Sequence, residues 1–244
     1  MTLDVLAIGA HPDDVELGCG GTLALLAAAG KRTGILHLTR GEAGTRGTAE
    51  GRIEEARRAG AALGVETVDF LDCGDGALRI GPDEENALIE KLRLFRPELV
   101  FGPPASDRHP DHGRSHQLVE AACFYAGLAR RGAGNPHRPA TVFHYMQHDP
   151  FEARFIVDVT AVWESKVEAL AAYESQLHQG DGGRGTGRPD EPPTKIASRE
   201  YRAAVEGRAR HFGVLIGVEF GEPFGSRLPV AVSDPWQLVP GGLR

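Results

Sequence analysis

Two short apolar runs in this chain, Leu3 to Gly9 and Glu98 to Gly102, are each followed by the tripeptide His-Pro-Asp. Apolar runs of this length are the pattern of strands buried on both faces, as in parallel sheets. The segments around them fit that reading. Gly20 to Ala29 is helical in pattern and stops at Gly30, and Gly34 to Leu38 is a second strand leading into a Gly-rich loop, Thr39 to Thr48. Ala49 to Leu63 is an amphipathic helix stopped by Gly64, Thr67 to Leu71 is a third strand, and Asp83 to Phe95 is a helix after Pro82. The fourth strand is Glu98 to Gly102, with a helix from about Gly113 to Arg130 after it. Strands and helices that alternate through short loops predict an α/β fold with a mostly parallel sheet covered on both faces.

Beyond this point the alternation breaks. Thr141 to Gln147 and Arg154 to Val159 read as strands, Trp163 to Ser175 and Ile196 to His211 as helices, and Leu215 to Phe220 as a last strand. Gln179 to Pro193, rich in Gly, Arg and Pro, reads as a mobile surface loop. The chain beyond Glu222 is again rich in Gly and Pro. The expectation is one domain over residues 1–244, with an α/β core at 1–135, a capping portion at 136–225 and a tail at 226–244.

Composition removes several functional classes. A net charge of -7 argues against nucleic acid as a partner, because neutralising phosphates needs a basic surface. No apolar stretch approaches the length of a membrane span, so no membrane partner is expected. Cys19, Cys73 and Cys123 form no C-x-x-C pair and read as reduced thiols. Met1-Thr2-Leu3-Asp4 runs straight into a strand, and a cytoplasmic protein is expected. Lys31, Lys91, Lys166 and Lys195 are the only lysines, so most positive charge sits on arginines, which clamp carboxylates bidentately.

The motifs themselves are His11-Pro12-Asp13-Asp14 and His109-Pro110-Asp111-His112. Ligands of open parallel sheets bind beyond the carboxyl ends of the strands, where both copies emerge. A catalytic zinc site takes three N or O ligands and keeps one position open, a set that His11, Asp14 and His112 supply. Asp13 is then free to take a proton from a water that the cation has acidified. His109 is placed to donate a proton to a leaving nitrogen or to stabilise an oxyanion, and Asp111 to orient a neighbouring imidazole. Either motif alone is also a good turn; two copies at one sheet edge favour the metal site.

Other candidates are weaker. His112 and His116 are spaced as a helical zinc pair but lack the H-E-x-x-H pattern, so His116 is expected to cap or pack. His144 and His148 suit a surface or pocket rim. Gly18-Cys19-Gly20-Gly21 imitates a phosphate loop, but Leu23 stands where the third glycine of G-x-G-x-x-G belongs, and close helix–sheet packing explains it better.

The strings Ala7-Ile8-Gly9-Ala10-His11-Pro12-Asp13-Asp14-Val15-Glu16 and Ser106-Asp107-Arg108-His109-Pro110-Asp111-His112 closely resemble the LmbE/PIG-L-like zinc-dependent N-deacetylases. Similarity extends to Leu38-Thr39, Gly41-Glu42, Gly47-Thr48, Ala172-Tyr173-Glu174-Ser175-Gln176 and Phe212-Gly213. The combination looks most like the bacillithiol-biosynthesis branch. The resemblance implies a Rossmann-like three-layer sandwich with a C-terminal cap, zinc or another divalent metal such as iron(II) on His11, Asp14 and His112, and Asp13 as general base. It implies that His109, supported by Asp111, assists the leaving amine or the tetrahedral intermediate. It also implies that Arg52 and Arg138 contact substrate and that Tyr201 helps bind the oxyanion. Phe220 stands where relatives often carry tyrosine. The implied substrate is N-acetylglucosaminyl-L-malate, and the implied assembly is a homo-trimer or homo-hexamer. Two alternatives stay open: another GlcNAc-containing substrate, such as a chitooligosaccharide or a thiol conjugate, or a nucleotide-binding α/β protein using the Gly18–Gly21 turn and Arg40.

Overall fold

A computed structural model describes residues 2–177 and 191–235. Five parallel strands are laid down first: β1 (Val5–Gly9), β2 (Thr33–His37), β3 (Thr67–Phe70), β4 (Leu99–Gly102) and β5 (Thr141–Tyr145). Two more, β6 (Phe155–Asp158) and β7 (Gly221–Gly225), extend the sheet, with β7 antiparallel to both β5 and β6. The strand order is β3-β2-β1-β4-β5-β7-β6. The chain therefore winds outward from β1 to β3 and then returns to the other side of β1 with β4. That reversal opens a crevice at the carboxyl ends of β1 and β4, the place where open α/β sheets bind ligands. Val5 pairs with Leu99 and Ala7 with Phe101, so the two His-Pro-Asp loops leave adjacent strands.

The apolar runs form strands because both faces of the sheet are covered. Along β1, Leu6 and Ile8 point to one side and Val5 and Ala7 to the other, the two-residue period of a pleated strand. On the first side lie α3 (Pro82–Phe95) and α4 (Pro110–Tyr125), through Leu88, Ile89, Leu92, Leu118 and Val119. On the second lie α1 (Asp14–Ala28), α2 (Ala49–Leu63) and α5 (Trp163–Ala171), through Val15, Leu23, Ala56, Ala59 and Ala169. The last helix, α6 (Arg199–Ile216), packs against β7 and carries Tyr201 and Val205 onto Leu17 of α1. The mostly parallel, helix-covered sheet is the architecture expected from the alternation.

Two differences have physical reasons. α1 begins at Asp14, ahead of the expected Gly20, because Asp14 and Glu16 occupy its first turn, where acidic groups are favoured; it is broken at Cys19 (φ -142°, ψ 21°), and the expected helix from Gly20 is its second part. Its glycines are explained by crowding: a Cβ on Gly18 would lie 2.2 Å from the Tyr145 ring, and one on Gly21 2.9 Å from Val159. This leaves no room there for a phosphate, and Arg40 is paired with Asp72 at 3.0 Å, so the nucleotide-loop alternative loses both of its supports. The second difference concerns Leu215 to Phe220. α6 continues to Ile216 and ends at Gly217 with φ 76°, and the strand comes later, at Gly221–Gly225. Val214 and Leu215 are solvent-exposed despite their strand-like composition. Most of the expected 179–193 loop and the end of the expected tail lie outside the described residues. Among the described residues no helix is long and apolar enough to cross a membrane.

Candidate metal and active site

The end of β1 turns sharply at Asp13, whose φ of 101° is left-handed, a conformation uncommon for a residue with a Cβ. The turn delivers Asp14 to the start of α1, where its carboxylate is held from two sides. Oδ2 accepts the His11 backbone N–H at 2.8 Å, and Oδ1 accepts Gln147 Nε2 at 2.5 Å. The same two oxygens face two imidazoles: Oδ2 is 3.3 Å from His11 Nδ1, and Oδ1 is 3.3 Å from His112 Nε2.

The outer nitrogens of those rings are already committed. His112 Nδ1 lies 3.0 Å from Asp107 Oδ2, and His11 Nε2 lies 3.1 Å from Asp75 Oδ1 and 3.3 Å from Asp111 Oδ2. An ionised carboxylate only accepts, so each outer nitrogen carries a hydrogen. In neutral rings both inner nitrogens then present lone pairs to Asp14, itself an anion. That arrangement calls for a positive charge between them. In the chain alone, protons meet the need. Burial opposes a charged His11, but hydrogen bonds to Asp111, Asp14 and Asp75 outweigh it and raise the group well above its ordinary value. Burial likewise opposes a charged His112, yet the Asp14 charge and the Asp107 bond take it to about 9. A divalent cation fits the same place, since N,O ligands backed by outer carboxylates are the usual construction of such sites. Among the described residues, three groups bring one donor atom per residue within 4.8 Å of each other: His11, His109 and His112; Asp107, His112 and His148; and His11, Asp75 and Asp111. Asp14 stands outside these triples and divides its oxygens between two rings.

Asp13 is buried beside this cluster, and its Oδ2 has no hydrogen-bond partner. Burial raises its carboxyl to about 7, against the opposing charge of Arg52, whose Nη2 is 3.7 Å away. Arg52 projects inward from α2 rather than pairing with Glu54 or Glu55. It donates to Pro12 O at 2.7 Å and to Gly41 O at 3.3 Å, bracing the backbone under Asp13. His109 caps α4, and its Nδ1 accepts the Asp111 backbone N–H at 3.2 Å. Burial and then the neighbouring His11 and His112 charges lower its pKa, so the neutral ring carries its hydrogen on Nε2. The Asp111 carboxylate does not reach His109. It accepts from Gly76 N and Leu78 N and faces His11, which corrects the expected pairing.

His11, Asp13, Asp14, Arg52, His109 and His112 thus line one cleft of about 240 Å³. Tyr201 stands one residue back: its hydroxyl is 3.3 Å from His148 Nδ1, and the His148 ring stacks on His112 at 5.8 Å. Arg138 is not brought to the cleft. Its guanidinium lies over the Phe124 ring at 4.3 Å and donates to Phe124 O, in a separate cavity beside Leu228. His116 and His144 also lie elsewhere, both with Nδ1 on Pro103 O. His148, expected at a surface or pocket rim, lines the cleft, whereas sequence reasoning missed Asp75, Asp107, Arg108 and Gln147. Asp107 and Arg108 adjoin the second motif and carry the only usable signal; the others enter from the loops after β3 and β5.

The model of the PIG-L family, GlcNAc-PI de-N-acetylase, matches residues 6–123, which include both motifs. A diacetylchitobiose deacetylase of Thermococcus kodakarensis is 33% identical over 189 residues, covering 71% of this chain and 70% of that protein. The chain belongs to the PIG-L family. Among solved structures, the conserved protein TT1542 from Thermus thermophilus superposes with a TM-score of 0.85 at 38% identity, covering 96% of this chain and 99% of that one. Relatives of this chain need not share a reaction: a 4-oxalmesaconate hydratase of Pseudomonas putida is 27% identical over 190 residues, covering 71% of this chain and 74% of that protein.

Proposed function

We propose that this chain is a divalent-metal-dependent hydrolase that removes the N-acetyl group from an N-acetylglucosaminyl compound. The observation that carries the reading is the pair of imidazoles, each backed by carboxylates on its outer nitrogen and turned toward Asp14 on its inner one. His11, Asp14 and His112 are the proposed ligands, with zinc, or iron(II), as the metal. A cation there would supply Lewis acidity, polarising the amide carbonyl and acidifying water. Asp13, whose Oδ2 makes no hydrogen bond to a described residue, takes the proton of the water whose oxygen bonds to the acetyl carbon. The C–N bond then breaks, acetate leaves, and the sugar nitrogen takes a proton from Asp13 or from His109 Nε2. Tyr201 supports the oxyanion side through His148. The deacetylase activity carried by the name of the Thermococcus relative supports this reaction class.

For the substrate, the finer reading is N-acetylglucosaminyl-L-malate, the bacillithiol precursor. What supports it is positive charge at the cleft: Arg108 lines it, and its guanidinium makes no hydrogen bond to a described residue. Such a group suits a substrate carboxylate. Acetate release from N-acetylglucosaminyl malate, N-acetylglucosamine and N,N'-diacetylchitobiose, with metal-loaded and chelated protein, tests both levels. No acetate from any of the three with loaded protein sinks the deacetylase reading. Equal rates on the malate conjugate and the free sugar sink the malate reading alone.

A further inference from the structure

A second cavity, of about 420 Å³, lies between α5 and α6 on the far side of Leu17. Much of its wall is apolar, formed by Leu17, Val167, Leu170, Leu177, Ile196 and Val205, and Trp163, stacked on Phe220 at 4.1 Å, also lines it. Leu17 and Ile196 line both this cavity and the cleft that holds the imidazoles. Tyr201 spans the two. Its ring packs on Leu17 and Val205, while its hydroxyl reaches His148 at the cleft. Three acidic and two basic residues also line the cavity, Glu164, Glu206, Glu219, Arg202 and Arg210, of which Arg210 pairs with Glu206 at 2.9 Å and with Glu219 at 3.1 Å. A site of this volume is in the range that holds small molecules, roughly 300–1,000 Å³.

We propose that this cavity is a subsite for an uncharged, apolar group attached to the sugar, such as an alkyl chain or a non-polar aglycone. The inference rests on the deacetylase reading. A sugar whose acetamide lies among His11, Asp13 and His112 has Leu17 and Ile196 as its neighbouring wall. A flexible apolar substituent that passes this wall leaves water for a surface already lined by carbon. The rim ion pairs disfavour an anionic occupant, which separates this subsite from the carboxylate-binding role of Arg108.

The test compares kcat/KM for octyl and methyl N-acetylglucosaminides. Each buried methylene favours binding by about 0.8 kcal/mol, so after ordering costs the octyl compound should lead by roughly 10- to 100-fold, mainly through KM. Filling the cavity with Val205→Trp, or with Val167→Phe should the first variant fold poorly, should bring the ratio to about one. Calorimetric titration with octyl glucoside, which has no acetamide, reads binding independently of hydrolysis. Binding by the parent chain that is lost in the filled variant supports the subsite. A ratio near one in the parent chain, no octyl glucoside binding, or equal binding by parent and variant overturns it. If octyl glucoside binds as expected while neither acetamide releases acetate, the deacetylase reading fails and the apolar site stands.

Discussion

Asp107 Oδ2 lies 3.0 Å from His112 Nδ1, and this contact decides which nitrogen of the ring faces Asp14. Asp107 is well placed to hold that role, because it also accepts the His148 backbone N–H at 3.1 Å. Burial works against its ionised form, but the bonds to His112 and His148 keep its carboxyl below the usual range. Asp107→Asn should therefore weaken metal binding by roughly 10- to 100-fold, the usual cost of losing an orienting carboxylate. Competition with a chromophoric chelator measures this. Unchanged affinity would remove Asp107 from the site.

Asp13 has a different predicted signature. Its Oδ2 makes no hydrogen bond to a described residue and meets Arg52 Nη2 at 3.7 Å, so Asp13→Asn removes no hydrogen bond that holds the fold. Burial keeps the carboxyl at about 7 in the chain alone, which makes it a competent base near neutrality. The variant should bind metal as the parent does and lose a factor of roughly 10²–10⁴ in kcat. Metal content and turnover, measured on one preparation, separate this outcome from a lost ligand.

These two residues mark how far the sequence could be read. The doubled His-Pro-Asp is legible because it sits at strand ends, and sheet topology then makes the two copies neighbours. The strands themselves are legible because both sheet faces are covered, which writes continuous apolar runs into β1 and β4. Asp75 and Gln147 are not legible, since each reaches the cleft from a loop whose path depends on tertiary packing. Arg138 shows the converse limit: a residue implied by resemblance lies over Phe124, where the local contact is a cation on an aromatic face. The end of α6 was obscured for a local reason. Val214 and Leu215 look like a strand, yet they project into solvent from a helix closed by Gly217.

Glu16 should impose a pH dependence on stability. It is fully buried, accepts the Tyr173 hydroxyl at 2.9 Å through Oε1, and has no partner for Oε2. Burial raises its pKa from 4.5 to about 8. The folded chain thus holds this proton more tightly than the unfolded chain, and its contribution is fully present below about pH 4.5. Stability from this group falls as pH rises toward 8. Glu16→Gln removes that slope. In chelator-treated protein the variant should gain on the parent by a few kcal/mol between pH 5 and pH 8, as read from urea unfolding at each pH. Parallel stability curves for the two proteins would contradict the assignment.

Lys166 and Glu222 carry the last prediction, because they tie α5 and β7 to α1 behind the cleft. Lys166 Nζ is 2.5 Å from Glu222 Oε1 and 3.0 Å from Leu17 O. Glu222 also accepts Gly21 N at 2.9 Å, Thr22 N at 2.7 Å and Thr22 Oγ1 at 2.6 Å. Both charges are buried, so removing one leaves the other uncompensated in a poor solvent for ions. Lys166→Met should cost about 3–5 kcal/mol, toward the lower end because three donors still hold the Glu222 carboxylate. Lys166→Met combined with Glu222→Gln should cost less than the sum of the single changes, since the amide keeps one acceptor for those donors and carries no charge. Chemical denaturation of the parent and the three variants gives the coupling directly. Strict additivity would show that the two charges do not stabilise each other.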